Sequence, residues 1–249
     1  MAYGQTDNAG QMRGRVAVVT GASSGIGRAI ASALSRLGVQ MYLVGRNPDR
    51  LHETVETARQ FSEVTGFSLD LSVEGNLQSL VRHLEQRTGR VDILVHSAGV
   101  IHQDLMEHAR IEDLDLQYAL NVRVPYLLTK SLVPLLTAAR GQVVFINSSL
   151  GLSVQRPDVG QYAATKHALK AVADSLRQEV NPRGVRVLTL YIGRTATPMQ
   201  EALHRREGKV YQPDKLLQPE DVASVVVHAL MLPDTAEVTD ISIRPMTKS

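Results

Sequence analysis

The chain reads as a doubly wound α/β fold, one layer of parallel strands with helices packed on both faces, and three features predict it. Seven short runs rich in β-branched and apolar residues recur along its 249 residues, each separated from the next by a stretch long enough for a helix. Several of these runs are apolar on both faces, which suits strands buried between two helical layers. A glycine-rich turn follows the first run, where the first strand of such a sheet hands over to its helix.

In order, the runs are 15–20 (RVAVVT), 41–46 (MYLVGR), 66–72 (GFSLDLS), 91–99 (VDILVHSAG), 141–149 (GQVVFINSS), 185–193 (VRVLTLYIG) and 240–245 (DISIRP). The connecting stretches predict helices, with long ones near 117–139 and 161–180. The alternation fails once. From Arg194 to about Gln218 the chain is dense in charges and holds Gly208 and Pro213, so it reads as a helical flap or loop over the site, or as a plain solvated connection. No internal repeat, low-complexity tract or Pro/Gly-rich linker divides the rest. A single domain is expected over 14–249, preceded by a loose polar tail over 1–13.

Composition removes several classes of function. With 43% hydrophobic and 21% charged residues the chain is neither disordered nor fibrous. The formal net charge is +2 and its Lys and Arg are scattered among acids, so no basic stripe points to nucleic acid. There is no cysteine, which excludes disulfides and thiolate chemistry and fits a reducing compartment. The opening residues hold no apolar core of a signal peptide, and no run approaches the ~18 apolar residues of a membrane span. A soluble, cytoplasmic protein is expected. The histidines show no ligand spacing, so no metal site is expected.

The stretch VVTGASSGIGRAI sets Gly21, Gly25 and Gly27 between a strand and a helix, with Ser23, Ser24 and Ile26 among them. A turn this tight needs glycine where φ is positive and where backbone must approach a pyrophosphate. The helix amino end offers N–H groups and a positive dipole to phosphate. A Rossmann-like dinucleotide site follows. At the end of the second run an NAD site would carry an acid for the ribose 2′-hydroxyl. Here Gly45 stands in its place and Arg46 follows, a pairing that suits a 2′-phosphate and predicts NADP(H) over NAD(H). A solvated turn arginine is the alternative. Asp70 and Leu71 close the third run, where a carboxylate could accept from an adenine amino group; a purely structural Asp70 is equally open. Ser97, Ala98 and Gly99 are small enough for backbone to lie along a ribose, and His96 beside them is expected to be packed and hydrogen-bonded rather than catalytic.

Tyr162 and Lys166 are four residues apart in QYAATKHALK. On a helix they share a face, and a nearby ammonium lowers a phenol's pKa, making a proton donor and acceptor. Alone the pair is also compatible with an ordinary exposed helix.

TGASSGIG together with YAATK resembles the short-chain dehydrogenase/reductase family, and the likeness runs from Arg15 to about Pro245. The resemblance implies that Tyr162 is the general acid/base, that Lys166 tunes it and holds the nicotinamide ribose, and that Ser148 hydrogen-bonds the substrate carbonyl. Asn121 matches the family's catalytic asparagine. Pro125 has no N–H to give the carbonyl of residue 121, which frees that carbonyl for a water in a proton relay. Ile192, Gly193, Thr195 and Thr197 match the stretch that holds the carboxamide and a phosphate. Three departures stand out. His96-Ser97 replaces Asn-Asn, Ile192 replaces a proline, and Ser149 rivals Ser148 because Ser149 has the usual spacing to Tyr162 while Ser148 has the usual spacing to Gly151.

The resemblance implies reversible hydride transfer between NADP(H) and a small carbonyl or alcohol substrate, in a homodimer or homotetramer formed through the two long helices. A catalytically silent dinucleotide-binding regulator or scaffold is the alternative, and a methyltransferase with an adenosyl cofactor is a third. Pocket walls are expected after Ser149, between His102 and His108, and in the flap after Arg194. None of these stretches carries a recognisable substrate code.

Overall fold

The computed structural model describes residues 8–247. Seven strands form one parallel sheet: β1 (Val16–Thr20), β2 (Gln40–Gly45), β3 (Val64–Ser68), β4 (Ile93–His96), β5 (Gln142–Ser148), β6 (Arg186–Ile192) and β7 (Asp240–Ile243), in the order β3-β2-β1-β4-β5-β6-β7. The chain winds outward from β1 to β3, then returns to the other side of β1 with β4. The crevice at the carboxyl ends of β1 and β4 is therefore the topological switch point at which ligands bind in such sheets.

Alternation along the strands explains the two cores. Ala17 and Val19 join one buried cluster and Val16 and Val18 the other, because successive side chains leave opposite faces of a strand. The first cluster is covered by α2 (Gly25–Arg36) and α9 (Pro219–Leu230); the second by α4 (Glu74–Arg87), α6 (Val124–Ala139) and α7 (Gly160–Val180). The central strands β1, β4 and β5 are buried throughout, whereas the edge strands β3 and β7 alternate between partly buried and exposed residues. Strand β3 starts two residues before the run read from sequence and stops before Asp70. On an edge, burial does not fix a strand's ends.

Of the tail expected over 1–13, residues 1–7 lie outside the described residues. Asn8–Met12 forms a short helix, α1, and Met12 is buried in the core, so this part of the expected tail is packed rather than loose. The remaining helices are α3 (Pro48–Arg59), α5 (Ile111–Tyr118) and α8 (Pro198–Arg206). Between α5 and α6 the segment Ala119–Arg123 is wound as a π-helix, immediately before Pro125. A proline that withholds an N–H favours this kind of local rewinding. The flap from Arg194 to Gln218 contains α8 and is closed at its base, where Ala196 N donates to the Leu217 carbonyl at 2.7 Å and Leu217 N to that of Arg194 at 3.1 Å.

Candidate active site

A cleft of about 330 Å³ opens at the switch point, and Gly21, Ser23, Ser24, Gly25 and Ile26 form one side of it. Gly21 has φ +69°, and a Cβ there would lie 2.7 Å from Ala98 N. That Cβ would part the β1 turn from the end of β4. A Cβ on Gly27 would lie 2.4 Å from the Gly21 carbonyl oxygen, so the third glycine lets α2 pack onto the turn. Thr20, the first residue of TGASSGIG and given no role in the sequence reading, holds the same junction: its Oγ1 accepts from Ser97 N and Ala98 N at 3.2 Å each and donates to the Val95 carbonyl at 3.3 Å. Ser24 is the N-cap of α2, and its side chain makes no capping bond. The helix therefore presents its first N–H groups to the cleft, an arrangement that accepts a phosphate.

At the end of β2, Gly45 is buried, and a Cβ there would lie 2.9 Å from Ser23 Cβ. No carboxylate fits at this position. Arg46 is exposed and lines the cleft, as do Asn47 and Arg50, which sequence reasoning missed. Asn47 caps α3 by accepting from Arg50 N at 2.9 Å, and this places both arginines on the same rim. Among the described residues neither arginine has a carboxylate within 4.0 Å, and both remain available to an anion.

Leu71, Ser97, Ala98 and Gly99 line the cleft as expected. Asp70 does not. Its Oδ1 accepts from Ser72 N at 2.9 Å and from Ser72 Oγ at 2.7 Å, a local turn that, with Arg46 nearby, holds the carboxyl below its ordinary range; the Ser72 hydroxyl is the leading cause. His96 is packed, as its apolar strand implied: it stacks on Phe145, its Nε2 is hydrogen-bonded to Thr129 Oγ1 at 2.8 Å, and burial drives its pKa down to about 3.

The chemistry-bearing side chains meet on the opposite wall. Tyr162 and Lys166, one turn apart on α7, both line the cleft, with Lys166 Nζ 5.6 Å from the centre of the Tyr162 ring. The Ser148 side chain acts on the Tyr162 hydroxyl, working against the effect of its burial, and Ser148 is buried at the end of β5 while Ser149 is exposed. Ser148, not Ser149, is therefore the serine associated with the tyrosine. Asn147, also unforeseen, fixes this corner: its Nδ2 donates to the Lys166 carbonyl at 3.1 Å and its Oδ1 accepts from Ser148 N at 2.8 Å. Asn121 lies in the π-helical turn, 1% exposed. Its amide donates to the Val100 carbonyl and to Thr165 Oγ1 and accepts from Val100 N, joining the loop after β4 to α7.

The net electrostatic balance at Tyr162 is set by burial, which pushes its hydroxyl up to about 12, with Ser148 working against that. Lys166 Nζ points past the ring to the Ile146 carbonyl, 3.1 Å away, and burial lowers its own pKa to about 8. Desolvation is the leading cause for both groups.

At the flap, Ile192 and Thr197 line the cleft, and Thr197 also caps α8 by accepting from Gln200 N at 3.2 Å. Gly193 and Thr195 stand outside the lining. Thr195 is buried and its hydroxyl donates to the Gly193 carbonyl at 3.1 Å, so it serves the base of the flap. Among the described residues no group of three or more His, Asp or Glu is placed to hold a metal ion, and no helix is long and apolar enough to cross a membrane.

A parallel sheet that reverses its winding at β1, a glycine turn and helix amino end at that point, and a tyrosine and lysine on the facing wall define a dinucleotide-binding α/β protein built around a Tyr–Lys pair. The chain belongs to the short-chain dehydrogenase family, whose sequence profile it matches over residues 15–208. It is 33% identical over 237 residues to an uncharacterised oxidoreductase of Staphylococcus epidermidis, covering 95% of this chain and 99% of that protein. Among solved structures it matches an alcohol dehydrogenase from the archaeon Thermococcus sibiricus complexed with 5-hydroxy-NADP, at TM-score 0.85 and 28% identity over 94% of this chain and 98% of that one. It also matches L-sorbose reductase from Gluconobacter frateurii complexed with NADPH and L-sorbose, at TM-score 0.85 and 26% identity over 95% and 97% of the two chains.

Proposed function

We propose that this protein is an NADP(H)-dependent oxidoreductase that interconverts a carbonyl compound and its alcohol. The observation that carries the proposal is Tyr162 and Lys166 facing the glycine turn across one cleft, with Ser148 acting on the tyrosine. The turn, with the N–H groups of α2 beside Ser23 and Ser24, fits the pyrophosphate, and Arg46 with Arg50 fits the ribose 2′-phosphate at a rim where Gly45 leaves no room for an acid. Complexes of similar proteins with 5-hydroxy-NADP and NADPH support the same assignment. A bound reduced nicotinamide supplies the hydride.

The protein's share is then proton and position. Tyr162, protonated at neutral pH because burial holds its pKa near 12, donates its hydroxyl proton to the substrate oxygen in the reducing direction. Ser148 donates a hydrogen bond to that oxygen. Lys166, still largely cationic at neutral pH, would stabilise the phenolate left behind and would hold the ribose of a bound cofactor. Asn121 holds the loop after β4 against α7, and its π-helical turn is the place for a relay water. The exposed Ile111, Tyr118 and Tyr126 lie on the α5–α6 stretch through which self-association is proposed.

The test is NADPH oxidation with a panel of aldehydes and ketones. Tyr162→Phe keeps the ring and removes the proton, so it is expected to lose about 10² to 10⁴ in kcat while NADPH binding by calorimetry stays within a few-fold. Ser148→Ala is expected to follow it and Ser149→Ala to retain activity. Parental turnover by Tyr162→Phe overturns the proposal.

A further inference from the structure

The loop after β4, the α5–π-helical stretch and the first turn of α7 meet next to Tyr162, and side-chain amides join them in two parallel rungs. In the first rung the Asn121 amide exchanges two hydrogen bonds with the backbone of Val100, each 2.9 Å, and donates to Thr165 Oγ1 at 3.1 Å. The Thr165 hydroxyl then donates to the Tyr162 carbonyl at 2.8 Å. In the second rung His102 N donates to Gln117 Oε1 at 2.9 Å, and Gln117 Nε2 donates to Gln161 Oε1 at 3.2 Å. Gln161 Nε2 closes it on the Arg110 carbonyl, at the N-cap of α5, at 2.9 Å.

The registers match. Val100 and His102 are alternate residues of the loop, Gln117 and Asn121 are four apart on one helical stretch, and Gln161 and Thr165 are four apart on α7. Tyr162 and Lys166 are the residues that follow the two α7 anchors. Val100, Tyr162 and Lys166 line the cleft, whereas Gln117, Asn121, Gln161 and Thr165 stand outside the lining. The rungs therefore tie the wall at Val100 to the wall that carries the tyrosine and lysine, without entering the space between them.

The second rung is costly to build. Helix α5 buries one residue, and that residue is Gln117, 0% exposed. A buried amide destabilises the fold unless its oxygen and nitrogen are bonded, a requirement that an apolar side chain at this position would not carry. The direction of the chain is also fixed: the His102 N–H can only donate and the Arg110 carbonyl can only accept, so both amides between them have one orientation.

We infer that Gln117, acting with Gln161, is a positioning residue that holds the loop after β4 and the start of α7 at the separation proton transfer from Tyr162 requires. The inference rests on the reductase reading above and adds a residue to that reaction. Neither amide reaches the reacting atoms, so neither is catalytic.

The experiment uses Gln117→Leu, which keeps the bulk and removes both bonds, with the carbonyl compound that the parent reduces best. Its kcat is expected to fall by about 10- to 100-fold, the effect of a displacement of about 1 Å at a reacting group, while KM and NADPH affinity by calorimetry stay near the parental values. Hydrogen exchange at the His102 amide is expected to accelerate, because its acceptor is gone. Gln161→Leu, at a side chain only partly buried, is expected to fold and to lower kcat in the same way by less. The double variant is expected to lose little more than Gln117→Leu alone, since the two amides act through one chain.

A folded Gln117→Leu protein with parental kcat overturns the inference whatever its Tm, because the amides then serve stability alone, and it leaves the reductase reading intact. A loss confined to KM, or unchanged exchange at His102, overturns it as well. If Gln117→Leu does not fold, Gln161→Leu decides, and parental kcat in that protein overturns the inference. A parent that binds NADPH and reduces no carbonyl compound overturns the reductase reading and this inference with it.

Discussion

The two walls of the cleft are built from different materials. The cofactor side is backbone: a turn at positive φ, a helix amino end, and small residues from β1 and β4 packed so closely that added methyl groups would strike main-chain atoms. The flap is held by side chains: a carboxylate gathering three cations, two of them from the flap itself and one from a loop 51 residues away. Backbone constraints act locally and tolerate no substitution, whereas an ion-pair clamp can be retuned one charge at a time.

The comparison breaks first at Gly21. Alanine there must adopt φ +69° and place its Cβ 2.7 Å from Ala98 N, in a junction already tied by Thr20. The strain of such a conformation is about 1–3 kcal/mol before any clash is counted, so NADPH affinity is expected to drop by about 10² or more, measured by calorimetry, with a lower Tm. Gly75, in the first turn of α4 with nothing within 4 Å of its missing Cβ, is the control, and alanine there is expected to be neutral or slightly stabilising. Equal behaviour of the two variants would show that the cofactor wall is as forgiving as an open helix surface.

The flap's counterpart is acid sensitivity. Glu207 has a folded pKa near 2, below its unfolded value, so its contribution is complete above the ordinary carboxylate range and is lost as pH falls through the folded pKa. Taken with the limited exposure of the side chain, the shift corresponds to roughly 3 kcal/mol at neutral pH. His96, buried neutral with its pKa near 3, adds a separate loss that begins at higher pH, as the unfolded imidazole starts to take up protons. The stability difference between the parent and Glu207→Gln, from urea unfolding, is therefore expected to be flat above about pH 5 and to vanish towards pH 2. A difference that persists at low pH would mean that the clamp stabilises by packing rather than charge.

These contrasts also explain what the sequence could disclose. Sheet and helices were legible because periodicity and burial are local, and the glycine turn was legible because its steric need is met by one residue type. Pro125 announced the irregular turn at Asn121 for the same reason. The direction of the Tyr162 shift was not legible: spacing placed Lys166 nearby, but how deeply both groups are buried, and that Nζ turns to the Ile146 carbonyl, depend on β5. Asp70 and Thr195 were legible as polar residues at strand ends, yet their oxygens are spent on Ser72 and Gly193. The Arg156–Glu207 clamp left no trace in any motif, because pairing across so many residues has no period.

Arg46 sharpens the comparison from the one place where the cofactor wall itself relies on a side chain. It is exposed, and its neighbour Arg50 shares the rim, so a 2′-phosphate would be held by charge in water rather than by a sealed pocket. Charge-assisted hydrogen bonds of this kind contribute about 1.5–3 kcal/mol, reduced by solvent and salt. Arg46→Ala is therefore expected to weaken NADPH by about tenfold, leave NADH unchanged, and flatten the salt dependence of NADPH binding; Arg50→Ala is expected to act in the same direction and by less. The readout is the ratio of kcat/KM for the two cofactors at low and high salt. Because Ser23 fills the space beside Gly45, losing the arginine removes a preference without creating the opposite one, so NADH should not improve. An Arg46→Ala protein that binds NADPH as the parent does would move the phosphate's recognition away from this rim and onto the backbone of the turn.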